Sequence, residues 1–262
     1  MIKSSEEFIS EAREAHLSKS LDVASNVTRT IFMLFAVSSP LFPIIGLLQT
    51  NYVSPNFYRF PGIPATSVFF YPVNIIGQFL VYFSALFLYV AMDCLFIIYM
   101  FYFRGEIQSI TAIAKLLSQK ENVTLNCDRI LRSIYEAQRE LLKGFYCFSP
   151  VFWHYYFHKL LAVILLTCSS FFTYSQSNSV VSGMAMQMMT ISLLFMHCMP
   201  GQLLDNCSSK LEKTLYESLW YEMNQTGKRN FLLIFKGAQR NIKVKTMGIN
   251  QISLHTWVQV DY

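Results

Sequence analysis

The chain has 262 residues, of which 53% are hydrophobic and 14% charged, with a net charge of +5 and a mean hydropathy of +0.34. Those values exclude an ordinary soluble domain, which needs more charge on its water-facing surfaces. The basic residues are not gathered with interleaved aromatics on one soluble face, which argues against nucleic acid as a partner.

Three long stretches carry almost no charge. Thr30 to Tyr58 has none, Phe60 to Phe103 has only Asp93, and Leu160 to Leu204 runs 45 residues without an Asp, Glu, Lys or Arg. Crossing about 30 Å of hydrocarbon takes about 20 apolar residues, so these stretches predict an all-α polytopic membrane protein. Four full transmembrane helices are expected, over residues 26–48, 72–95, 152–174 and 183–204, with a partial fifth at 246–262. Residues 1–25 read as a polar amino-terminal segment and 205–245 as amphipathic helices outside the bilayer.

Pro40 and Pro43 sit in the outer half of the first predicted span, and the connection after it is rich in Pro, Gly and aromatics. The second apolar stretch, from Pro72 to Phe103, is 32 residues long, or roughly 48 Å as a helix. That overshoots the hydrocarbon, so Cys94 to Phe103 is expected to continue out of the bilayer and bury itself against inner helices. Residues 106–118 and 128–143 are read as two such helices. In the second, Ile130, Leu131, Ile134, Leu141 and Leu142 oppose Arg129, Arg132, Glu136, Arg139 and Glu140 at helical spacing. After the fourth span, Leu211, Leu215, Leu219 and Met223 form a predicted i, i+4 stripe.

Orientation follows from the basic residues. Residues 1–29 hold four Lys and Arg, 104–159 hold eight and 205–246 hold eight, whereas 49–70 hold only Arg59 and 175–182 none. The positive-inside rule then places the amino terminus in the cytoplasm. The sequons at Asn26, Asn122, Asn206 and Asn224 all fall on that inner side and are read as chance matches. No CxxC pair, metal-ligand spacing, catalytic triad or glycine-rich phosphate loop is present, so neither an enzyme nor a cofactor is expected.

Two polar stripes are candidates for binding. On the second span Asn74, Gln78, Tyr82, Ala85, Tyr89 and Asp93 follow at steps of three and four, and on the fourth Gly183, Gln187, Thr190, Leu194, His197 and Gly201 do the same. Polar groups within a bilayer face protein or a cavity. Their bland role is interhelical hydrogen bonding; their sharper role is the wall of a ligand pocket. Met184, Met186, Met188 and Met189 add a flexible, polarizable surface beside the second stripe. Asn74, Gln78, Tyr82, Met184, Gln187, Met188 and Ile191 are therefore the candidate ligand-binding residues.

The run LLFMHCMPGQLLDNCSSKLEKTLYESLWYEM, Leu193 to Met223, resembles the insect odorant receptor family at Pro200, Gly201, Gln202, Leu203, Ser208, Leu211, Tyr216, Trp220 and Tyr221. RNFLLIFKGAQRNIKV continues the resemblance at Gln239 and Arg240, with Asn241 where a proline usually follows, and Thr246 to Trp257 is similar to the start of the last helix. The resemblance implies a subunit of a ligand-gated cation channel in the plasma membrane, with small hydrophobic odorants bound in its outer part. It also implies a co-receptor partner in a heterotetramer, inner helices that form a shared anchor, and a last helix that lines the pore. The family has seven spans, so the resemblance implies a chain without the first two and without the outer half of the seventh. A gustatory-type receptor of the same superfamily is the nearest alternative. A G-protein-coupled receptor is opposed by the inward amino terminus, and a transporter by the lack of an internal inverted repeat.

Overall fold

The computed structural model describes residues 5–40, 44, 69–176, 180–239, 245–246 and 250–251. Helix dominates: α1 (Ser5–Ser38), α2 (Phe70–Lys115), α3 (Lys120–Leu125), α4 (Cys127–Gln176), α5 (Val180–Tyr216) and α6 (Gln225–Gln239). Short 3-10 turns occupy Leu116–Ser118 and Trp220–Glu222. The chain divides into two compact units, Asp22–Tyr99 and a second one made of Met1–Leu21 with Met100–Tyr262.

Helix length is the first physical result. At 1.5 Å per residue, the 46 residues of α2 reach about 69 Å and the 50 of α4 about 75 Å, more than twice the hydrocarbon thickness. Among the described residues, one helical stretch, Phe70–Ser118, is long and apolar enough to cross a membrane, and only 22% of its most apolar window is buried within the chain. The core helix of a soluble protein would be mostly buried. This surface instead offers Val73, Ile76, Leu80, Val81, Phe87 and Leu88 outward, as lipid-facing residues do.

The sequence reading split these helices; the chain does not. The inner helix expected over 106–118 is the end of α2, which passes through Gly105 without interruption to Lys115. A side chain at Gly105 would approach Leu17 and Ser20 to 3.1–3.3 Å, so glycine here permits close helix packing and does not break the helix. Likewise the inner helix expected over 128–143 and the third span form the single helix α4, with Pro150 inside it. The break expected between them and 106–118 contains the short α3.

Two other expectations are corrected. The Leu211–Met223 stripe is not one helix, because α5 ends at Tyr216. Ser218 donates both its N–H and its hydroxyl to the Leu215 carbonyl, and the Leu219 N–H goes to the carbonyl of Leu117 at 3.1 Å. A tertiary bond has replaced the next helical one, yet Leu211, Leu215 and Met223 are still buried. Where the partial fifth helix was expected, Lys245–Thr246 pairs antiparallel with Asn250–Gln251; the rest of 246–262 lies outside the described residues.

In the second unit, α2 contributes Met100, Phe103, Ile107, Ile110 and Ala114 to the core, and the 3-10 turn after it adds Leu117, all at steps of three and four. Facing stripes come from α4 (Ile130, Leu131, Ile134, Leu141, Phe145), α5 (Leu204, Leu211, Leu215) and α6 (Phe231, Ile234, Ala238). Phe103 meets the edge of Phe145 at 5.5 Å and that of Phe148 at 6.5 Å, an arrangement favoured by the ring quadrupoles. Asn224 starts α6 by accepting the Gly227 N–H at 2.6 Å, a side-chain cap.

Candidate ligand-binding site

On α2, in the Asp22–Tyr99 unit, Asn74 and Gln78 are both 0% exposed. The Gln78 Nε2 donates to Asn74 Oδ1 at 2.8 Å, the i, i+4 pairing that a helix brings into register. Without water, an unsatisfied amide costs several kcal/mol, so pairing two of them makes a polar site tolerable in an apolar wall. Tyr82, one turn further, is half-buried and rests edge-on against Phe83, which itself stacks on Phe79 at 5.9 Å. Polarity then lapses at the exposed Ala85 and returns at the half-buried Tyr89 and the buried Asp93. The stripe therefore falls into an amide–aromatic group at Asn74, Gln78 and Tyr82 and a second group at Tyr89 and Asp93.

The first group consists of neutral amides and a phenol beside aromatic rings. Amides and a phenol are suited to orienting a small neutral molecule in an apolar setting; they provide no nucleophile and no acid–base pair for catalysis.

Met184, Gln187, Met188 and Ile191 are carried by α5, in the other unit. Met188 is 64% exposed. The side chains of Met184, Gln187 and Ile191 lie outside the described residues.

One polar group escaped the sequence reading. Glu106, buried near the inner end of α2, receives two hydrogen bonds from Arg13 Nε, at 3.3 Å and 3.2 Å, and one from Nη2 at 3.0 Å. Glu140 of α4 lies 3.7 Å from the same guanidinium. The Glu106 bond, outweighing burial, holds the Arg13 pKa above its usual value. Burial, helped by the Glu106 carboxylate, pushes the Tyr102 phenol up. The only sequence signal was a carboxylate placed directly after an apolar helix; its partner is 93 residues away. Lys159, buried on α4, sets its ammonium 5.4 Å from the Tyr155 ring centre, a cation–π contact.

Residues 2–260 match the family described as 7tm Odorant receptor. The chain belongs to that family. Its members are receptors and not enzymes, and they are embedded in membranes. This odorant-receptor chain is 30% identical to Odorant receptor 49a of Drosophila melanogaster over 112 residues, which make up 40% of this chain and 28% of the fly protein. It shares its fold with the olfactory receptor OR5 of Machilis hrabei, with a TM-score of 0.71 at 14% identity. The structure of OR5 in complex with eugenol gives 0.63 at 17%. Both likenesses cover 96% of this chain and 66% of the solved one, so the odorant-receptor chain spans about two thirds of the length of the receptors it resembles in fold.

Proposed function

We propose that the chain acts as an odorant receptor subunit that binds small hydrophobic volatile ligands. With a co-receptor, in a heterotetramer, it forms a ligand-gated cation channel in the plasma membrane of olfactory neurons. The observation that carries the ligand-binding part is the fully buried Asn74–Gln78 amide pair beside Tyr82. It is a dry polar anchor within an apolar, membrane-spanning helix of a chain whose family is that of odorant receptors. OR5, similar in fold, has a structure with eugenol, a small aromatic molecule of the kind such a site would take. Asn74, Gln78 and Tyr82 form one wall of the proposed pocket, with Met184, Gln187, Met188 and Ile191 assigned to it from the sequence pattern alone. The amino terminus, residues 104–150 and residues 205–245 are proposed to be cytoplasmic, on the twenty-to-one distribution of Lys and Arg.

Ligand binding is tested on the purified chain by thermal unfolding with a panel of volatile phenols, esters and terpenes, since a ligand that binds the folded state raises its stability. Gln78→Ala and Tyr82→Ala should change which ligands stabilise the chain, and Leu232→Ala, on an exposed position of α6, should not. Equal loss of stabilisation for every ligand would mean that the substitutions act on folding, and the pocket assignment fails. Co-expression with an odorant co-receptor, followed by co-purification and recording of odorant-evoked current, tests the channel reading. For orientation, a sequon engineered between Val53 and Thr66 should be glycosylated in microsomes while Asn122 and Asn224 remain bare. Sugar on Asn122 would reverse the assignment.

A further inference from the structure

Within the Asp22–Tyr99 unit, α1 and α2 leave an open apolar groove of about 180 Å³. One side is the stripe Phe32, Phe35 and Ala36; the other is Phe83, Phe87 and Val90. Phe83, Phe87 and Val90 follow at steps of four and three along about 10 Å of one α2 face, and Phe32 and Ala36 are one turn, about 6 Å, apart on α1. Ala36 is the smallest apolar side chain in the lining, among the aromatic residues Phe32, Phe35, Phe83 and Phe87. Ligand pockets are usually concave spaces of about 300–1,000 Å³ that enclose most of their ligand. This groove is smaller and its Phe32 and Phe87 are exposed, so it fits a length of hydrocarbon chain better than a whole compact molecule.

A charge lies on the same face. Arg29 is exposed and sits three residues, or about 4.5 Å along the axis, before Phe32. Steps of three and four carry the stripe from Arg29 through Phe32 and Ala36 to Ser39. The neighbouring hydroxyls are already engaged, since Thr28 Oγ1 donates to the Ala24 carbonyl and Thr30 Oγ1 to that of Asn26. On α2 the nearest acidic side chain in sequence, Asp93, is buried; on α1 the exposed Asp22 lies on the Arg29 face, two turns or about 10.5 Å further from the groove. A cation at one end of an apolar groove is complementary to one class of membrane molecule. We infer that this groove binds an anionic phospholipid, with an acyl chain lying between the α1 and α2 stripes and the headgroup phosphate at Arg29. The inference is independent of the odorant pocket, and rests on the membrane-spanning placement of α1 and α2.

The full chain, reconstituted in symmetric phosphatidylcholine vesicles, is labelled with a phosphatidylserine that carries a photoactivatable acyl chain. A phosphatidylcholine with the same chain runs in parallel. Label should concentrate on peptides that contain Phe32–Ala36 and Phe83–Val90, above that on the outward residues Leu80 and Val81. Phosphatidylserine should label the groove about fivefold more than phosphatidylcholine, the equivalent of ~1 kcal/mol for one basic residue near an anionic surface. Arg29→Gln should abolish that preference, Arg29→Lys should keep it, and Ala36→Phe should fill the groove and reduce labelling by both lipids. Equal labelling by the two headgroups in the unaltered chain overturns the proposal, as does unchanged labelling in the Ala36→Phe variant. A photoreactive amino acid at Phe87 that captures a polypeptide and not lipid also overturns it, and assigns the groove to a protein neighbour. Both leaflets have one composition, so none of these outcomes depends on the orientation that glycosylation mapping reads.

Discussion

The two halves of α2 meet opposite fates: the first carries a single charge, Asp93, and the second mixes apolar residues with Arg104, Glu106 and Lys115. From Val73 to Leu95 it leaves Ile76, Leu80, Phe87 and Leu88 exposed, whereas from Met100 to Ile110 it buries Met100, Phe103, Ile107 and Ile110 almost completely. Apolarity alone does not say what a side chain touches. A bilayer satisfies an exposed leucine as well as a protein core does, so the first half can do without partners. The half from Met100 onward instead packs its side chains away from water against α4 and α5. The polar groups invert in the same way: amides pair along one helix in the first half, and ion pairs reach between helices in the second half.

Stability measurements in detergent should expose this contrast most strongly with matched truncations. Ile110→Ala, at a position 0% exposed, should cost about 2–5 kcal/mol through lost transfer energy and a residual cavity. Ile76→Ala, at 60% exposure, should stay within about 0.5 kcal/mol. Similar losses at the two sites would break the distinction between lipid-facing and packed surface.

A smaller effect is expected at the inner ion pair. Glu106→Gln should destabilise by about 1 kcal/mol, held there because the Arg13 side chain is 43% exposed and solvent screens it. Combined with Arg13→Gln, the loss should be less than additive, and thermal unfolding of the double-mutant cycle measures the coupling. Strict additivity would mean that the pair contributes nothing.

The mildest probe is thiol reactivity. Burial, aided by the Asp128 carboxylate, raises the Cys127 thiol above its ordinary pKa, so it stays neutral and inert at pH 7. Cys147, further along α4, is exposed. Maleimide should therefore modify Cys147 quickly and Cys127 only after unfolding. The sign for stability follows: keeping Cys127 protonated favours the fold below the ordinary thiol pKa, and that contribution disappears as pH rises through the folded value. Rapid labelling of Cys127 in the folded chain would show that the inner unit opens.

Much of this organisation was legible from the sequence. Charge-free runs announced the apolar helices, and the steps of four in Asn74, Gln78 and Tyr82 announced a shared face. What misled was punctuation. Residues 106–118 and 128–143 were read as helices of their own, but α2 runs on through Gly105, where a missing Cβ admits Leu17 and Ser20, and α4 runs on through Pro150, on an exposed face, where backbone groups freed by a proline can meet other partners. The end of α5 misled in the other direction, because the Leu117 carbonyl that captures the Leu219 N–H is distant in sequence. The Arg13–Glu106 bridge was illegible for the same reason: local periodicity contains no information about partners far along the chain. The groove was missed because it depends on which faces of α1 and α2 meet, and these are distant in sequence.

That bridge also sets a timetable for synthesis. Arg13 leaves the ribosome 93 residues before Glu106, an interval of roughly 5–20 s at about 5–20 residues per second, and Glu140 follows later still. For that time the first turns of α1 have neither carboxylate to bind, and Leu17 and Ser20 have no Gly105 to pack on. The start of α1 is thus made early and docked late, which gives a chaperone, or a wrong neighbour, an opportunity at this helix before its partners exist.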